Sequence, residues 1–170
     1  MVTTLRDPRS YILKPNMEQT NFQYKEFIKS NTALRKGITN IPNDTQWGSI
    51  ETLTNNVLQP VREKFGRMRI TSGFRSPELC VAIGSSRSSN HCRGEAADFE
   101  PLRNNVSLYH VLAWVYRNLE FRELIAEYFP DGWIHVAYRE GANDRKLKLK
   151  DKTHNYDRVE LSYIQKIYGE

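Results

Sequence analysis

SNHCRGEAADF, residues 89–99, changes character half-way along. Its first half is polar and ends on Gly94, a residue that lets the chain turn. Its second half, Ala96 to Phe99, is short, apolar apart from Asp98, and predicts a strand. Side chains alternate along a strand, so Ala96 and Asp98 share one face while Ala97 and Phe99 share the other. Asp98 then projects between very small side chains, with space above it. A second strand is expected at Trp133–Tyr138 (WIHVAY), after a turn made by Pro130, Asp131 and Gly132. Ile134, Val136 and Tyr138 form one apolar face there, and His135 points away from it with Trp133 and Ala137.

Working outward, Arg69–Ser72 (RITS) reads as a strand stopped by Gly73, and Pro77 as the opening of a short helix. Gly84–Asn90 is a Ser-rich loop. Upstream, Phe22–Ser30 suggests a short helix and Ile38–Thr45 a loop. A longer helix is expected over Thr45–Phe65, carried by Ile50, Leu53, Val57, Val61 and Phe65, with Pro60 as a kink point. Downstream, Ser107 should cap a helix running through Leu119. Phe121–Tyr128 reads as another helical piece, Leu147–Leu149 as a strand, and a short helix should follow Glu160. Helices and strands mix without a regular βαβ rhythm, which predicts an α+β fold with a largely antiparallel sheet flanked by helices. Residues 1–20 are polar and irregular and are expected to form an N-terminal arm, leaving residues 21–170 as a single domain.

Composition narrows the function classes. Apolar residues make up 39% and charged residues 26% of the 170, as in ordinary globular proteins. No run of about 18 apolar residues occurs, which excludes a membrane-spanning helix. The N-terminus lacks an apolar stretch of signal-peptide length, so synthesis in the cytoplasm is expected. Cys80 and Cys92 are too few for a disulfide framework and are expected to be reduced. The net charge is +5, but the basic residues are scattered and no nucleic-acid signature accompanies them. The densest stretch, Arg145–Lys152 (RKLKLKDK), alternates Lys with Leu and reads as an exposed edge strand whose lysines discourage aggregation.

Four histidines are present. His91, Asp98 and His135 together offer two imidazoles and one carboxylate, a donor set suited to Zn²⁺ at a catalytic site. Three protein ligands leave a fourth tetrahedral position for water, whose pKa falls toward about 7. His110 lies on the expected helix among apolar residues and reads as a packing or capping histidine. His154, in a polar loop, reads as solvated. Cys92 follows His91 directly and is left out, because adjacent ligands rarely converge on one metal. Cys80 reads as a small buried hydrophobe.

The pattern Ser89-x-His91-x-x-Gly94-x-Ala96-x-Asp98, followed by Gly132-Trp133-Ile134-His135-Val136, resembles the metal-binding pattern of the zinc D-alanyl-D-alanine carboxypeptidase family. That family shares its fold with the signalling domain of hedgehog proteins. Ser72-Gly73-Phe74-Arg75-Ser76 is similar to the family's SGFRS or SGYRS segment. Glu26–Pro42 resembles the N-terminal part of its phage and bacterial branch, so the similarity runs over roughly residues 20 to 140. The resemblance implies one Zn²⁺ held by His91, Asp98 and His135, and hydrolysis of D-alanyl-D-alanine or L-alanyl-D-glutamate bonds in peptidoglycan stem peptides. It further implies that Arg75 binds a substrate carboxylate or stabilises the oxyanion, as a forked guanidinium is suited to do. Ser89 would touch the substrate backbone.

Such chemistry needs an acid/base that takes a proton from water and returns one to the leaving amine. Several family members place an acidic residue three before the last His ligand, where this chain has Gly132. The candidates are Glu127, favoured by its LIAE context, and Asp131. The family's habits imply an endolysin-like, monomeric protein without membrane or nucleic-acid partners, acting at the bacterial cell wall after release or as a virion component. The alternative is a non-catalytic zinc-containing module that binds the wall or builds the virion.

Overall fold

The computed structural model describes residues 20–102, 106–153 and 155–169. The expected arm over residues 1–20, save Thr20, and His154 lie outside them. Among the described residues the chain forms helices α1 (Tyr24–Ile28), α2 (Asn31–Lys36), α3 (Asp44–Leu53) and α4 (Gln59–Phe65), then strand β1 (Met68–Ser72) and α5 (Pro77–Ala82). After them come β2 (Ala96–Pro101), α6 (Leu108–Asn118), β3 (Glu123–Glu127), β4 (Trp133–Ala137), β5 (Lys146–Lys150), β6 (Tyr156–Arg158) and α7 (Leu161–Tyr168). The strands make one six-stranded sheet in the order β1-β2-β4-β3-β5-β6. Every neighbouring pair is antiparallel except β3 and β5, which run parallel. The α+β expectation holds, with a mixed sheet.

Period-two alternation divides the sheet into two faces of different chemistry. Ala97, Phe99, Leu124, Ala126, Ile134, Val136, Leu147 and Leu149 join the hydrophobic core together with Ile50, Leu53, Val57 and Val61 of the long helical run, Leu112 and Val115 of α6, and Ile164 of α7. Asp98, Glu123, Ile125, Glu127, Trp133, His135, Lys148 and Lys150 line a cleft on the opposite face. The face assignments read from AADF and WIHVAY are those found.

The long helix is present over its expected span, but it is not uniform. A π-helical turn, Thr54–Leu58, separates α3 from α4. Pro60 lacks the N–H that would bond the Asn56 carbonyl, and its ring crowds that carbonyl; the wider turn just ahead of it relieves both problems. Thr54 Oγ1 donates to the Ile50 carbonyl at 2.7 Å at the start of the same stretch. Asn43 caps α3 by accepting from the Gln46 amide, and Ser107 caps α6 by accepting from the His110 amide. His110 is exposed, and its Nδ1 lies 2.7 Å from Ser107 Oγ, so it serves the cap rather than the core.

Two expectations are overturned. Phe121–Tyr128 contains a strand, β3, not a helix. Glu, Leu and Ala favour a helix in isolation, but β3 is hydrogen-bonded to β4 on one side and β5 on the other, and tertiary pairing outweighs local propensity. The Lys-Leu stretch, β5, is not an edge strand: it lies between β3 and β6, and the three-residue β6 forms the edge. Two of its lysines face carboxylates of β3, with Lys148 paired to Glu123 and Lys150 to Glu127. Helix α2 escaped the sequence reading because it buries only Ala33; Ser30 caps its start, and Gly37, at φ 62°, ends it.

Candidate metal centre

Three elements bring the ligand candidates together. Asp98 of β2 and His135 of β4 are directly paired across the ladder, so their side chains rise side by side from one face. His91 comes from a 3₁₀ turn, Asn90–Arg93, that approaches from above. Ser89 Oγ accepts the His91 amide at 3.3 Å and opens this turn. Gly94 closes it at φ 73°, where an added Cβ would lie 2.3 Å from the Gln46 carbonyl oxygen, so both the conformation and the close approach to α3 require glycine. Gln46 Nε2 in turn donates to the Cys92 carbonyl at 2.9 Å and ties the turn to α3.

His135 Nδ1 lies 2.7 Å from Asp98 Oδ1 and 3.2 Å from His91 Nε2, and His91 Nε2 lies 3.3 Å from Asp98 Oδ1. All three residues are buried. A tetrahedral ion with bonds of about 2.0–2.1 Å spaces its ligands roughly 3.3 Å apart, so the donor atoms stand at nearly the spacing such an ion needs. The outer nitrogen of His91 is already committed, with Nδ1 2.7 Å from the Gly73 carbonyl oxygen. That carbonyl can only accept, so Nδ1 carries the proton and Nε2 presents its lone pair to the cluster. The described residues fit a metal ion here, with the His91 lone pair already turned to the cluster.

Arg75 closes one side. A bulge in β1 sets Ser72 opposite Asp98, and Arg75 Nε donates to Ser72 Oγ at 2.8 Å while Nη2 donates to Asp98 Oδ2 at 2.7 Å. Two of the five guanidinium N–H groups are used in these bonds. The loop bearing Arg75 is held by the buried Asn40, whose amide donates to the Ile28 and Phe74 carbonyls and whose oxygen accepts the Ser76 amide. No sequence pattern singled out Asn40; its signal is visible only once α1 and the loop are adjacent.

The cluster sits in an open cleft of about 580 Å³. Ser89, Arg75 and Glu127 line it, and so do Glu123, Trp133, Lys148, Lys150 and Tyr156, which the sequence reading did not propose. For Glu123, Lys148 and Lys150 the signal is alternation on β3 and β5, lost when β3 is read as a helix. Asp131 is exposed and lines a different cleft with Phe129, Leu102 and Tyr168. Gly132 packs so closely that a Cβ there would lie 1.8 Å from the Glu127 carbonyl oxygen, which bars an acidic side chain from that position in this backbone. Glu127 Oε2 accepts from Lys150 Nζ at 3.1 Å. Hydrogen bonds to Tyr156 and Glu127 raise the Lys150 pKa despite the opposing effect of burial. Cys92 turns its thiol toward the Ser86 carbonyl at 3.7 Å, and burial beside Cys80 pushes that thiol up to about 12.

Burial drives the His91 imidazole below its ordinary pKa; Asp98 opposes this, while Arg75 and His135 add to it. Burial alone would raise the Asp98 carboxyl, but His91 and His135 hold it well below the usual carboxylate range. Both groups therefore bind protons less readily in the folded chain than in the unfolded one. Wherever the unfolded state holds more protons, stability rises with pH. The metal-free protein should consequently lose stability as pH falls below the ordinary histidine value of about 6.5, and again below the ordinary carboxylate value of about 3.9. Urea midpoints of the metal-free protein from pH 7.5 downward would measure this. A midpoint that stays level or rises through pH 6 contradicts it.

None of the curated proteins searched matches this chain. A model of the Peptidase M15 family does match, over residues 20–137, a segment that runs from just before α1 to the end of β4 and contains His91, Asp98 and His135. That match covers well over half of the 170 residues, and it ends where the cluster is complete. The chain belongs to the Peptidase M15 family, and it is a peptidase.

Proposed function

We propose that this peptidase is a zinc enzyme that hydrolyses peptide bonds in the stem peptides of peptidoglycan, of the D-alanyl-D-alanine carboxypeptidase or L-alanyl-D-glutamate endopeptidase type. The observation that carries the reading is the convergence of His91 Nε2, Asp98 Oδ1 and His135 Nδ1 to within 3.3 Å of one another, in a cleft that also holds Arg75 and Glu127. Zinc bound by these three residues would supply Lewis acidity and lower the pKa of a water molecule.

The remaining steps fall to side chains of the chain itself. Glu127 takes the proton of the attacking water and returns one to the leaving amine. Lys150 anchors its carboxylate and limits where it can reach. Arg75, fixed by Ser72 and Asp98, meets a substrate carboxylate or the developing oxyanion with its remaining N–H groups. Ser89 lies at the cleft wall, where a substrate backbone would pass. The net charge of +5 favours approach to anionic wall polymers. We read the protein as endolysin-like and monomeric, of phage or prophage type, acting at the cell wall after release or within a virion. Neither a membrane nor a nucleic acid enters this reading; no helix of the described residues is long and apolar enough to cross a bilayer.

The test is digestion of purified peptidoglycan with mass-spectrometric identification of the fragments. New peptide termini are expected from the zinc-loaded protein, lost on chelation and restored by zinc. Intact stem peptides, alongside cleavage of unrelated peptides by the same preparation, would assign the enzyme a different substrate.

A further inference from the structure

His91 and His135 differ in how their outer nitrogens are held. His91 Nδ1 meets the Gly73 carbonyl at 2.7 Å, whereas His135 Nε2 is buried and has no hydrogen-bond partner among the described residues. An unpaired buried N–H is destabilising and leaves the ring free to choose the wrong tautomer. The group facing that nitrogen is a carboxylate: Glu123 Oε1 stands 3.8 Å from His135 Nε2.

Strand register explains the approach. Ile125 pairs with His135 and Glu123 with Ala137, so Glu123 and His135 are diagonal neighbours on the cleft face, within reach of a long side chain. Across the parallel ladder Ile125 also pairs with Lys148, whose ammonium is bonded to the other carboxylate oxygen, Glu123 Oε2. Glu123 thus has one oxygen fixed by Lys148 and the other turned to the histidine.

We propose that Glu123 is the positioning residue of His135. A shift of about 1 Å from the 3.8 Å separation lets its carboxylate accept the Nε2–H, which fixes the tautomer that leaves Nδ1 as the ligand atom, while Lys148 holds the other oxygen in place. A carboxylate behind a ligating imidazole orients the ring and raises its basicity. The simpler alternative, a cross-strand ion pair that stabilises the sheet, predicts no effect on the metal. This proposal rests on the reading of His135 as a ligand, yet its test needs no substrate.

The experiment compares wild type, Glu123→Gln, Glu123→Ala and Lys148→Met by chelator competition for zinc, and follows the His135 Nε2 proton by NMR in the zinc-loaded proteins. Glu123→Ala should weaken zinc binding by about ten- to hundredfold. Glu123→Gln, whose amide oxygen still accepts, should lose less, and Lys148→Met should fall between it and wild type. The Nε2 proton should be slow to exchange in wild type and fast in Glu123→Ala. Affinities within twofold of wild type in folded variants, with unchanged proton exchange, overturn the Glu123 role while leaving the peptidase reading intact. A wild type that binds no zinc overturns both.

Discussion

Glu127→Gln should retain zinc and lower the rate of stem-peptide hydrolysis by about a thousandfold, within the 10²–10⁴ that a positioned acid/base group contributes. The substitution keeps the size of the side chain and an oxygen for Lys150, which bonds Glu127 Oε2 at 3.1 Å, but removes the group that exchanges protons. Asp131→Asn is the matched comparison. Asp131 is exposed and lines another cleft, so its loss should leave the rate within about twofold. Zinc content and initial rates measured on the same preparations separate the two residues. A fully active Glu127→Gln protein, or an inactive Asp131→Asn protein that still holds zinc, would move the acid/base role away from β3.

Asp98→Asn should damage the centre in two ways at once. Asp98 offers Oδ1 to the cluster and Oδ2 to Arg75, so one carboxylate serves both the metal and the guanidinium. The amide is a neutral and weaker ligand, and zinc affinity should fall by more than about a hundredfold, beyond the usual effect of losing an outer partner. Arg75 would meanwhile lose its charged partner in a largely buried setting. Breaking such a pair outright costs about 3–5 kcal/mol, and the retained amide oxygen should reduce this to about 1–3 kcal/mol in the metal-free protein. Chelator competition and urea denaturation measure the two effects separately. An unchanged metal affinity would remove Asp98 from the ligand set, whatever the stability.

Much of the centre was legible because its residues lie on strands, where side-chain direction follows from position. AADF and WIHVAY each bury one face, and that alone sends Asp98 and His135 to the other. Pairing of Asp98 with His135 could not be read, since register depends on which strands meet. The error at Phe121–Tyr128 had a larger consequence. Glu123 and Glu127 are four apart, which on a helix also places them on one face, so helix and strand both predict that they point the same way. Only the strand carries them beside His135 and opposite the lysines of β5. For the same reason the lysines of RKLKLKDK read as solvent-facing: their partners are in β3, which the sequence concealed. The family pattern supplied the ligand candidates, but it ends before β5, and the Lys148–Glu123 and Lys150–Glu127 pairs lie partly beyond it.

Zinc-edge anomalous diffraction from crystals of the zinc-loaded protein would locate the metal itself. One strong peak is expected within about 2.0–2.2 Å of His91 Nε2, Asp98 Oδ1 and His135 Nδ1. A peak on other residues, or none at this cluster in crystals that contain zinc, would contradict it.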